Sequence, residues 1–476
     1  MAFDVSAYSK ELENFLMKME QVTDNGHPDM EKTLEDVCQF LRGARLEIEL
    51  YQKDVSEQDT ILGIYNHDYY MRRVEEIIQQ GEIHRYIACY FNLKHFSVIN
   101  QKLGRDQGTN IMRLYVSQLQ EELGEDGIVC RITGDSFCML FLREKLALVM
   151  NYLERISVYY EPGTEAHVTV EARSGYYDIQ EEENCTKASD VMDRITLAYH
   201  VVNSSSHDSY IFYDNAMLLR QTEANYIENE FQDALDKEEF LVYYQPKVNL
   251  KNYSLAGAEA LCRWRHDKVL IPPFRFIPIL EKSHAICQLD FYMLEHVCKD
   301  IRQWLDEGKS AVCVSVNFSR QHMGDSDLPS HILEIIDRYH IPHEYIEIEL
   351  TETTTDVEFI ELKRIVEHLQ SQGIHTSVDD FGVGYSSLNL IREISWDVLK
   401  IDKSFLPTTV DPLDQKYVMF KYLVAMAQNL GLGCIVEGVE TIEHVKVLKE
   451  NNCFMAQGFY FDKPLPKEEF ETRLVS

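Results

Sequence analysis

Acidic side chains recur where short apolar segments end in the second half of the sequence. The acids are Glu259, Glu349, Glu352, Asp379, Asp380, Asp402, Glu437 and Glu440, and the residues that accompany them are Asn317, Lys400 and Gln457. If these side chains converge, their mutual repulsion would protonate or unfold the site unless cations offset it. Oxygen donors without Cys or His select the hard cations Mg2+ or Mn2+ over zinc or copper. The pattern therefore predicts a divalent metal site.

The adjacent acids Asp379 and Asp380 are the pair best placed to hold two ions. Two-metal phosphoryl transfer needs ions about 3.5–4 Å apart. Because neighbouring strand residues point to opposite faces, both acids can face the ions only if the strand ends at Asp379 and the backbone turns. The segment Phe381-Gly382-Val383-Gly384 supplies such a turn. A single Asp-Asp pair is more often a solvated turn, but the repeated acids favour the metal site.

Strand and helix patterns alternate from about Ala224 onward, and these elements must position the acids. Eight strand candidates are separated mostly by helical stretches such as 291–307, 356–370 and 417–429. The candidates are 241–244, 255–262, 311–316, 345–350, 375–378, 398–401, 434–436 and 455–459. This α/β repeat matches the roughly 250 residues of a (β/α)8 TIM-like barrel, in which chemistry sits at the carboxyl ends of the strands.

The first half of the sequence contains different patterns. Residues 59–215 mix helix and strand, with strands near 85–91, 127–132 and 138–142, which predicts an α/β domain. Apolar residues at spacings of three and four predict a helical segment before it, either packed on its own domain or forming a dimerising coiled coil. We predict three parts, with a connector helix over 221–239 at the start of the third: 1–58, 59–215 and 216–476.

The composition excludes several classes of protein. With 45% hydrophobic and 26% charged residues, the 476-residue chain has the composition of a folded globular protein rather than a disordered or fibrous one. Its net charge of −33 repels phosphate backbones, so we expect no polymeric nucleic-acid partner. Without a long apolar run or a signal peptide, we expect no membrane span and a cytoplasmic location. The 11 cysteines form no CxxC pair or zinc cluster, which predicts buried, reduced thiols.

Ten motifs resemble the EAL phosphodiesterase family, named for the tripeptide present here as Glu259-Ala260-Leu261. They are YYQP at 243–246, AEALCRW at 258–264, FIPILE at 276–281, VNFS at 316–319, ELTET at 349–353, DDFGVGYSSL at 379–388, LKID at 399–402, EGVET at 437–441, QGFYF at 457–461 and KPLP at 463–466. The resemblance implies hydrolysis of the bacterial second messenger cyclic di-GMP to linear pGpG, with two Mg2+ or Mn2+ ions as cofactors. Val383 stands where the family usually has Thr, which removes no ligand but would alter loop ordering or dimer coupling.

The resemblance also implies a role for each matching residue. The metal ligands would be Glu259, Asn317, Glu349, Asp379 and Asp380, with Asp379 shared by both ions. The catalytic residues would be Lys400, Glu437, Gln457 and Glu352. The substrate contacts would be Gln245, Leu261, Arg263, Asp402 and Glu440.

Within the catalytic group, Lys400 would orient the attacking water or neutralise the developing charge, and Gln457 would position metal-bound water. Glu437 would act as general base or as a metal-linked proton acceptor. Which of Lys400, Glu437 or an already formed hydroxide handles the proton stays open. Glu352 and Glu440 would order the loop after Asp380, and Arg263 would bind a phosphate in a bidentate manner.

Residues 59 to about 215 resemble the GGDEF diguanylate cyclase fold more weakly, through segments at 59–70, 90–100 and 133–137. Asn92 and Ser136 stand where that family has metal-binding acids, and Thr133 replaces a glycine beside the phosphates. Thr109 replaces an acidic guanine reader, although Asn100 remains. The Arg-x-x-Asp product-inhibition pattern is absent at 124–127, which reads GEDG. We therefore predict a structural, dimerising or regulatory domain without cyclase activity, with a weakened site for GTP or another ligand as a minor alternative.

The leading hypothesis is thus a cytosolic bacterial cyclic di-GMP phosphodiesterase controlled by an inactive GGDEF-like domain. The alternatives are a non-catalytic cyclic di-GMP receptor and a signalling scaffold. Receptors of this family typically lack ligands or the lysine, whereas Glu259, Lys400 and Glu437 are present here. A homodimer through the EAL domain or the N-terminal helices is expected by family analogy alone.

Overall fold

The computed structural model describes residues 39, 42, 57–161, 163–180, 186–204, 208–350, 356–381 and 387–474. The helical segment predicted over residues 1–58 therefore lies almost entirely outside the described residues. The chain divides into two compact units, Met1–Gln221 and Thr222–Ser476. The division falls within the helix α6, Asn215–Asp236, where the sequence predicts a connector.

The first unit is built on a mixed sheet flanked by helices. Its strands are β1 Tyr65–Asn66, β2 Tyr86–Leu93, β3 Ile128–Thr133, β4 Ser136–Leu142, β5 Ile156–Tyr159, β6 His167–Val170, β7 Ala172–Asp178 and β8 Tyr210–Phe212. Its helices are α1 His67–Gln79, α2 Phe96–Leu103, α3 Arg105–Leu123, α4 Leu146–Glu154 and α5 Ala188–Ser204. Six strands pair in the order β1-β3-β4-β2-β7-β8, while β5 and β6 form a separate hairpin. Apolar clusters cover both faces of the six-stranded sheet, as the α/β prediction requires.

Eight strands close into a barrel in the second unit. They are β9 Phe240–Asn249, β10 Ser254–His266, β12 Val314–Phe318, β13 Ile346–Leu350, β14 His375–Phe381, β15 Val398–Ile401, β16 Gly433–Val436 and β17 Met455–Gln457. Each strand pairs with the next in this series, and β9 also pairs with β17, which closes the ring. The short strands β11 Val269–Ile271 and β18 Leu465–Pro466 extend β10 and β9 outside the ring.

Helices connect the barrel strands and cover their outer side. They are α7 Pro273–Lys282, α8 Ile286–Asp306, α9 Leu328–Arg338, α10 Asp356–Ser371, α11 Ser387–Glu393, α12 Gln415–Asn429, α13 Ile442–Glu450 and α14 Lys467–Phe470. One apolar cluster joins these helices to the strands. The predicted TIM-like barrel is therefore confirmed.

One strand departs from a barrel of eight parallel strands. β9 runs antiparallel to both of its ring neighbours, β10 and β17, whereas β10 and β12 are parallel, as are the pairs that follow them. The connection explains the direction. Residues 250–253 alone separate β9 from β10, and a turn that short makes a hairpin, because parallel strands need a crossover of about a dozen or more residues. The first half of β9 therefore reaches the same barrel mouth as the carboxyl ends of the other strands.

Candidate active site

The carboxyl ends of the parallel strands bring most of the predicted site residues to one mouth of the barrel. In strand order from β10 to β17 they are Glu259, Asn317, Glu349, Asp379, Lys400, Glu437 and Gln457. Asn317 and Glu349 are register partners on neighbouring strands. Glu259 and Gln457 hydrogen-bond although 198 residues separate them in sequence. Barrel closure thus converts dispersed residues into one cluster.

Lys400 lies at the centre of the acidic side chains. Its Nζ is 2.6 Å from Glu437 Oε1, 3.3 Å from Asp379 Oδ1 and 3.5 Å from Glu259 Oε2. It also forms an ion pair with Glu349 Oε1. The Lys400 side chain is 1% exposed, so water contributes little to neutralising this group. One ammonium cannot offset four carboxylates, and the cluster keeps an excess of negative charge.

Amide side chains hold the orientation of Glu259. Asn317 Nδ2 donates to Glu259 Oε1 over 3.0 Å, and Gln457 Nε2 donates to Glu259 Oε2 over 2.6 Å. Gln457 Nε2 also donates to Gln245 Oε1 over 3.1 Å. Both carboxylate oxygens of Glu259 are therefore fixed by residues that the sequence assigned to the same site.

The strand predicted over 375–378 is longer in the structure, so the condition that it ends at Asp379 is not met. β14 continues to Phe381, and its register with β15 shifts between Val378 and Phe381. Such an irregularity bends the strand and interrupts its alternation of faces, so it re-aims side chains without ending the strand. The Asp380 side chain and residues 382–386, which include Val383, lie outside what the structure describes.

The donor set fits a divalent metal ion. One carboxylate oxygen each from Glu259, Glu349 and Glu437 lie within 4.8 Å of one another. Glu349 Oε2 and Gln457 Oε1 are buried and have no hydrogen-bond partner among the described residues. Buried polar atoms normally have partners, so these oxygens are open acceptors for a cation. The geometry also includes Glu437 among possible ligands, although the family resemblance assigned it as a base.

The carboxyl groups of the cluster differ in acidity. Burial alone would raise the pKa of Glu259, but the ammonium groups of Lys400 and Lys247 and the amide donors outweigh it and lower that pKa. Burial raises the pKa of Glu437, and repulsion from Glu259 adds to this, although Lys400 opposes it. Two carboxyl groups whose pKa values are pushed apart suit different roles, one as a permanent anion and one as a proton acceptor.

The predicted substrate contacts on β10 share one face of the strand. Glu259, Leu261 and Arg263 are two residues apart in turn, so their side chains point the same way. Arg263 Nη1 donates to the carbonyl of Cys262 over 2.7 Å, and its guanidinium carbon lies 5.5 Å from the centre of the Tyr243 ring. Arg263 is thereby oriented at the mouth.

Two other predicted contacts are engaged locally. Asp402 Oδ1 accepts from the Ser404 backbone N–H over 2.8 Å and caps the short helix Lys403–Phe405. Glu440 is exposed and forms an ion pair with Lys403. Among the described residues, neither carboxylate makes a hydrogen bond or ion pair with the acidic cluster. Glu352 lies outside the described residues.

Sequence reasoning missed a buried ion pair beneath the cluster. Lys247 Nζ is 2.9 Å from Glu347 Oε1, and both side chains lie inside the barrel. The signal was present, because a lysine in the strand FLVYYQPKVN and a second glutamate in IEIEL are unusual in apolar segments.

In the first unit, the positions predicted to have lost metal-binding acids carry an amide and a hydroxyl beside one carboxylate, that of Asp135. Asn92 on β2 pairs in register with Ser136 on β4, and Asn92 Nδ2 donates to Ser136 Oγ over 3.0 Å and to Asp135 Oδ1 over 2.7 Å. Thr109 Oγ1 donates to the carbonyl of Arg105 over 3.0 Å. Asn92 thus bonds to Ser136 and Asp135, and Thr109 to the backbone.

Two family models match separate parts of the chain. Residues 228–464 match the sequence model of the EAL domain, and residues 56–195 match that of the diguanylate cyclase, GGDEF domain. The cyclic di-GMP phosphodiesterase NbdA of Pseudomonas aeruginosa is 28% identical over 435 residues, which cover 88% of this chain and 54% of NbdA. The bifunctional diguanylate cyclase/cyclic di-GMP phosphodiesterase MucR of the same organism is 27% identical over 404 residues, covering 83% of this chain and 58% of MucR.

The chain thus spans little more than half the length of these two relatives. A solved structure described as PaMucR Phosphodiesterase, c-di-GMP complex is 31% identical to this chain. The match covers 52% of this chain and 99% of that structure, with a TM-score of 0.48. No described helix combines the length and apolar character needed to cross a bilayer.

Proposed function

This chain belongs to the EAL domain family over residues 228–464 and contains a GGDEF domain over residues 56–195, and we propose that it is a metal-dependent phosphodiesterase that hydrolyses cyclic di-GMP to linear pGpG. The observation that carries the proposal is the convergence of four carboxylates on Lys400. A phosphodiester approaching a chain of net charge −33 needs local positive charge, and the excess negative charge of this cluster would attract the metal cations that supply it.

The metal ligands follow from the donor set together with the family motif. Glu259, Asn317, Glu349 and Asp379 would hold one cation, and Asp379 with Asp380 a second. When bound, Mg2+ or Mn2+ supplies charge neutralisation for the phosphodiester and activation of water at neutral pH.

The other side chains of the mouth would stabilise charge, transfer the proton and orient water and substrate. Lys400 is placed to neutralise charge that develops on the phosphoryl oxygens, an effect that is strong where water is excluded. Glu437, whose pKa is raised by burial, would take up a proton, and Gln457 would orient the attacking water. Arg263, held by its backbone contact and by Tyr243, would bind a phosphate through two parallel N–H donors.

The direct test is a product assay. The full chain is incubated with cyclic di-GMP and Mg2+, and pGpG is separated by chromatography. Glu259→Gln, which keeps the side-chain volume, should lower the rate by roughly a thousandfold while circular dichroism shows an unchanged fold. Wild-type protein that binds cyclic di-GMP but releases no pGpG would instead be a receptor.

The first unit would act without cyclase chemistry, in a regulatory or dimerising role. Asn92 and Ser136 offer neutral groups bonded to each other where two charged ligands would be needed to hold metal ions on a triphosphate. Incubation of the chain with GTP and Mg2+ should yield no cyclic di-GMP. Formation of cyclic di-GMP from GTP would refute this part of the proposal.

A further inference from the structure

Three polar side chains lie inside the barrel directly beneath the mouth. They are Lys247 on β9, Glu347 on β13 and Ser377 on β14, here called the floor triad. Lys247 Nζ lies 2.9 Å from Glu347 Oε1, and Ser377 Oγ donates to the same oxygen over 2.9 Å. Lys247 is 3% exposed and Glu347 6%. Branched aliphatic side chains usually fill such interior layers, so a buried ion pair at this level needs a reason.

Each member of the floor triad lies two residues from a residue of the mouth. The pairs, floor residue first, are Glu347 and Glu349, Ser377 and Asp379, and Lys247 and Gln245. Side chains two residues apart in a regular strand share a face, so Lys247 and Glu347 each lie one layer below their partners. β14 is irregular beyond Val378, and there the 3.3 Å contact of Asp379 Oδ1 with Lys400 Nζ places Asp379 at the mouth. Lys247 is also the register partner of Gln457.

The ion pair of the floor triad crosses the barrel interior. β9 and β13 are not neighbours in the ring, because β10 and β12 lie between them on one side and four strands on the other. Ser377 adds a link from β14 to the same carboxylate. One oxygen of Glu347 therefore connects three strands, and each of the three also carries a residue of the mouth.

Stability alone does not account for this arrangement. A buried ion pair is often no more stabilising than packed aliphatic side chains of similar volume, since both charges lose their hydration. Hydrogen bonds, unlike aliphatic contacts, fix both distance and direction. Building on the proposed function, we infer that the floor triad is a positioning layer, which holds Gln245, Glu349 and Asp379 at the separations that the cations and the phosphodiester require.

The test replaces the ion pair by neutral side chains of similar length in the full chain, with the double variant Lys247→Met/Glu347→Met. Three quantities are measured: the thermal unfolding midpoint, kcat and KM for cyclic di-GMP, and Mn2+ binding from the EPR signal of the free ion. We expect an unfolding midpoint close to that of wild type and little change in KM. Both kcat and the affinity for Mn2+ should fall by about tenfold or more.

A matched control removes an exposed ion pair instead. Lys237→Met/Asp233→Asn abolishes an exposed 3.2 Å pair at the C-terminal end of α6, and kcat and Mn2+ affinity should stay within about twofold of wild type. A folded floor double variant with wild-type kcat and Mn2+ affinity would overturn the inference, because the pair would then have a structural role alone.

A second variant tests the positioning role of the floor triad if the floor double variant does not fold. Ser377→Ala removes one hydrogen bond to Glu347 and leaves the ion pair intact, and we expect kcat and Mn2+ affinity to fall by about threefold. Unchanged values in folded Ser377→Ala would overturn the inference. A wild-type chain that binds Mn2+ but releases no pGpG defeats the proposed function alone, and Mn2+ binding by the variants then decides the positioning role. Failure of wild type to bind Mn2+ defeats both.

Discussion

The barrel mouth and the β2–β4 site of the first unit both contain polar side chains at strand ends. They differ in whether the polar atoms find hydrogen-bond partners within the protein. At the mouth, four carboxylates surround Lys400, and Glu349 Oε2 and Gln457 Oε1 have no hydrogen-bond partner among the described residues. In the first unit, the amide of Asn92 donates to both Asp135 and Ser136. A site with open acceptors can take up a cation at once, whereas a site that satisfies its own polar groups must first break those bonds.

The comparison explains why the charge of a few side chains changes what a site can do. A carboxylate has only acceptor oxygens, so a cluster of them requires a cation or an ammonium group. An amide and a hydroxyl carry both donors and acceptors and can satisfy each other without any ligand. Neutral residues at two positions, Asn92 and Ser136, therefore allow the polar groups of this site to hydrogen-bond without a cation.

The largest expected effect on stability comes from removing the ammonium group of the mouth. Lys400→Met leaves two buried carboxylates, Glu259 and Glu349, and two half-buried ones without the cation that all four contact. The free energy of unfolding in EDTA should fall by about 3–5 kcal/mol, and kcat by roughly a hundredfold. Mg2+ should recover part of the stability, because ligand binding favours the folded state. Urea denaturation with and without Mg2+, together with the product assay, measures both effects.

Lys403 provides a matched control three residues along the chain. Its side chain is 55% exposed and pairs with the exposed Glu440. Lys403→Met should leave stability and turnover near wild type. Equal losses in the two variants would mean that the position of the charge at the mouth is unimportant, and the contrast between the two sites would fail.

An intermediate effect is expected from the buried ion pair between Asp290 and His322. Asp290 Oδ2 accepts from the Ser319 backbone N–H over 2.9 Å and from His322 Nε2 over 3.1 Å. Both donors follow Asn317 closely in sequence. Burial disfavours the charged imidazole, but hydrogen bonding to Asp290 outweighs it, with a smaller contribution from Cys287, and raises the pKa of His322 to about 9.

A raised histidine pKa gives stability that is present at low pH and lost at high pH. The contribution of His322 should be complete below about pH 6.5, the ordinary value, and disappear as the pH rises through about 9. The loss should be about 3 kcal/mol in the free energy of unfolding, measured by urea denaturation at the two pH values. His322→Gln should remove this pH dependence. A wild-type chain equally stable at both pH values would contradict the prediction.

The smallest expected effect tests the β2–β4 site of the first unit. Asn92→Asp replaces an amide donor 2.7 Å from Asp135 Oδ1 by a like charge. The free energy of unfolding should fall by about 1–2 kcal/mol, and Mg2+ should restore part of it. Asn151→Asp, an exposed change on α4, serves as the control and should be neutral. If Asn92→Asp is as stable as wild type without Mg2+, the first unit does not depend on satisfying its own polar groups.

Much of the site could be predicted because strand periodicity is a local property. The strand predicted at 345–350 is observed as Ile346–Leu350, and that at 398–401 as Val398–Ile401. Once these strands belong to one barrel, Glu349 and Lys400 must reach the same mouth. β14 continues to Phe381, beyond the predicted range 375–378, and its register with β15 is irregular there. Such an irregularity is set by pairing with a neighbouring strand and leaves little trace in the strand's own residues.

The sequence by itself determined where the barrel strands lie approximately and that acids accumulate at their carboxyl ends, because the apolar pattern of a strand and the residues that end it are local properties of the chain. Only the tertiary structure decided that β9 runs antiparallel and that Lys247 meets Glu347, 100 positions away, across the interior. It also decided that Lys400 contacts four carboxylates at once. These distances depend on how the ring of strands closes, and ring closure couples every strand to all the others.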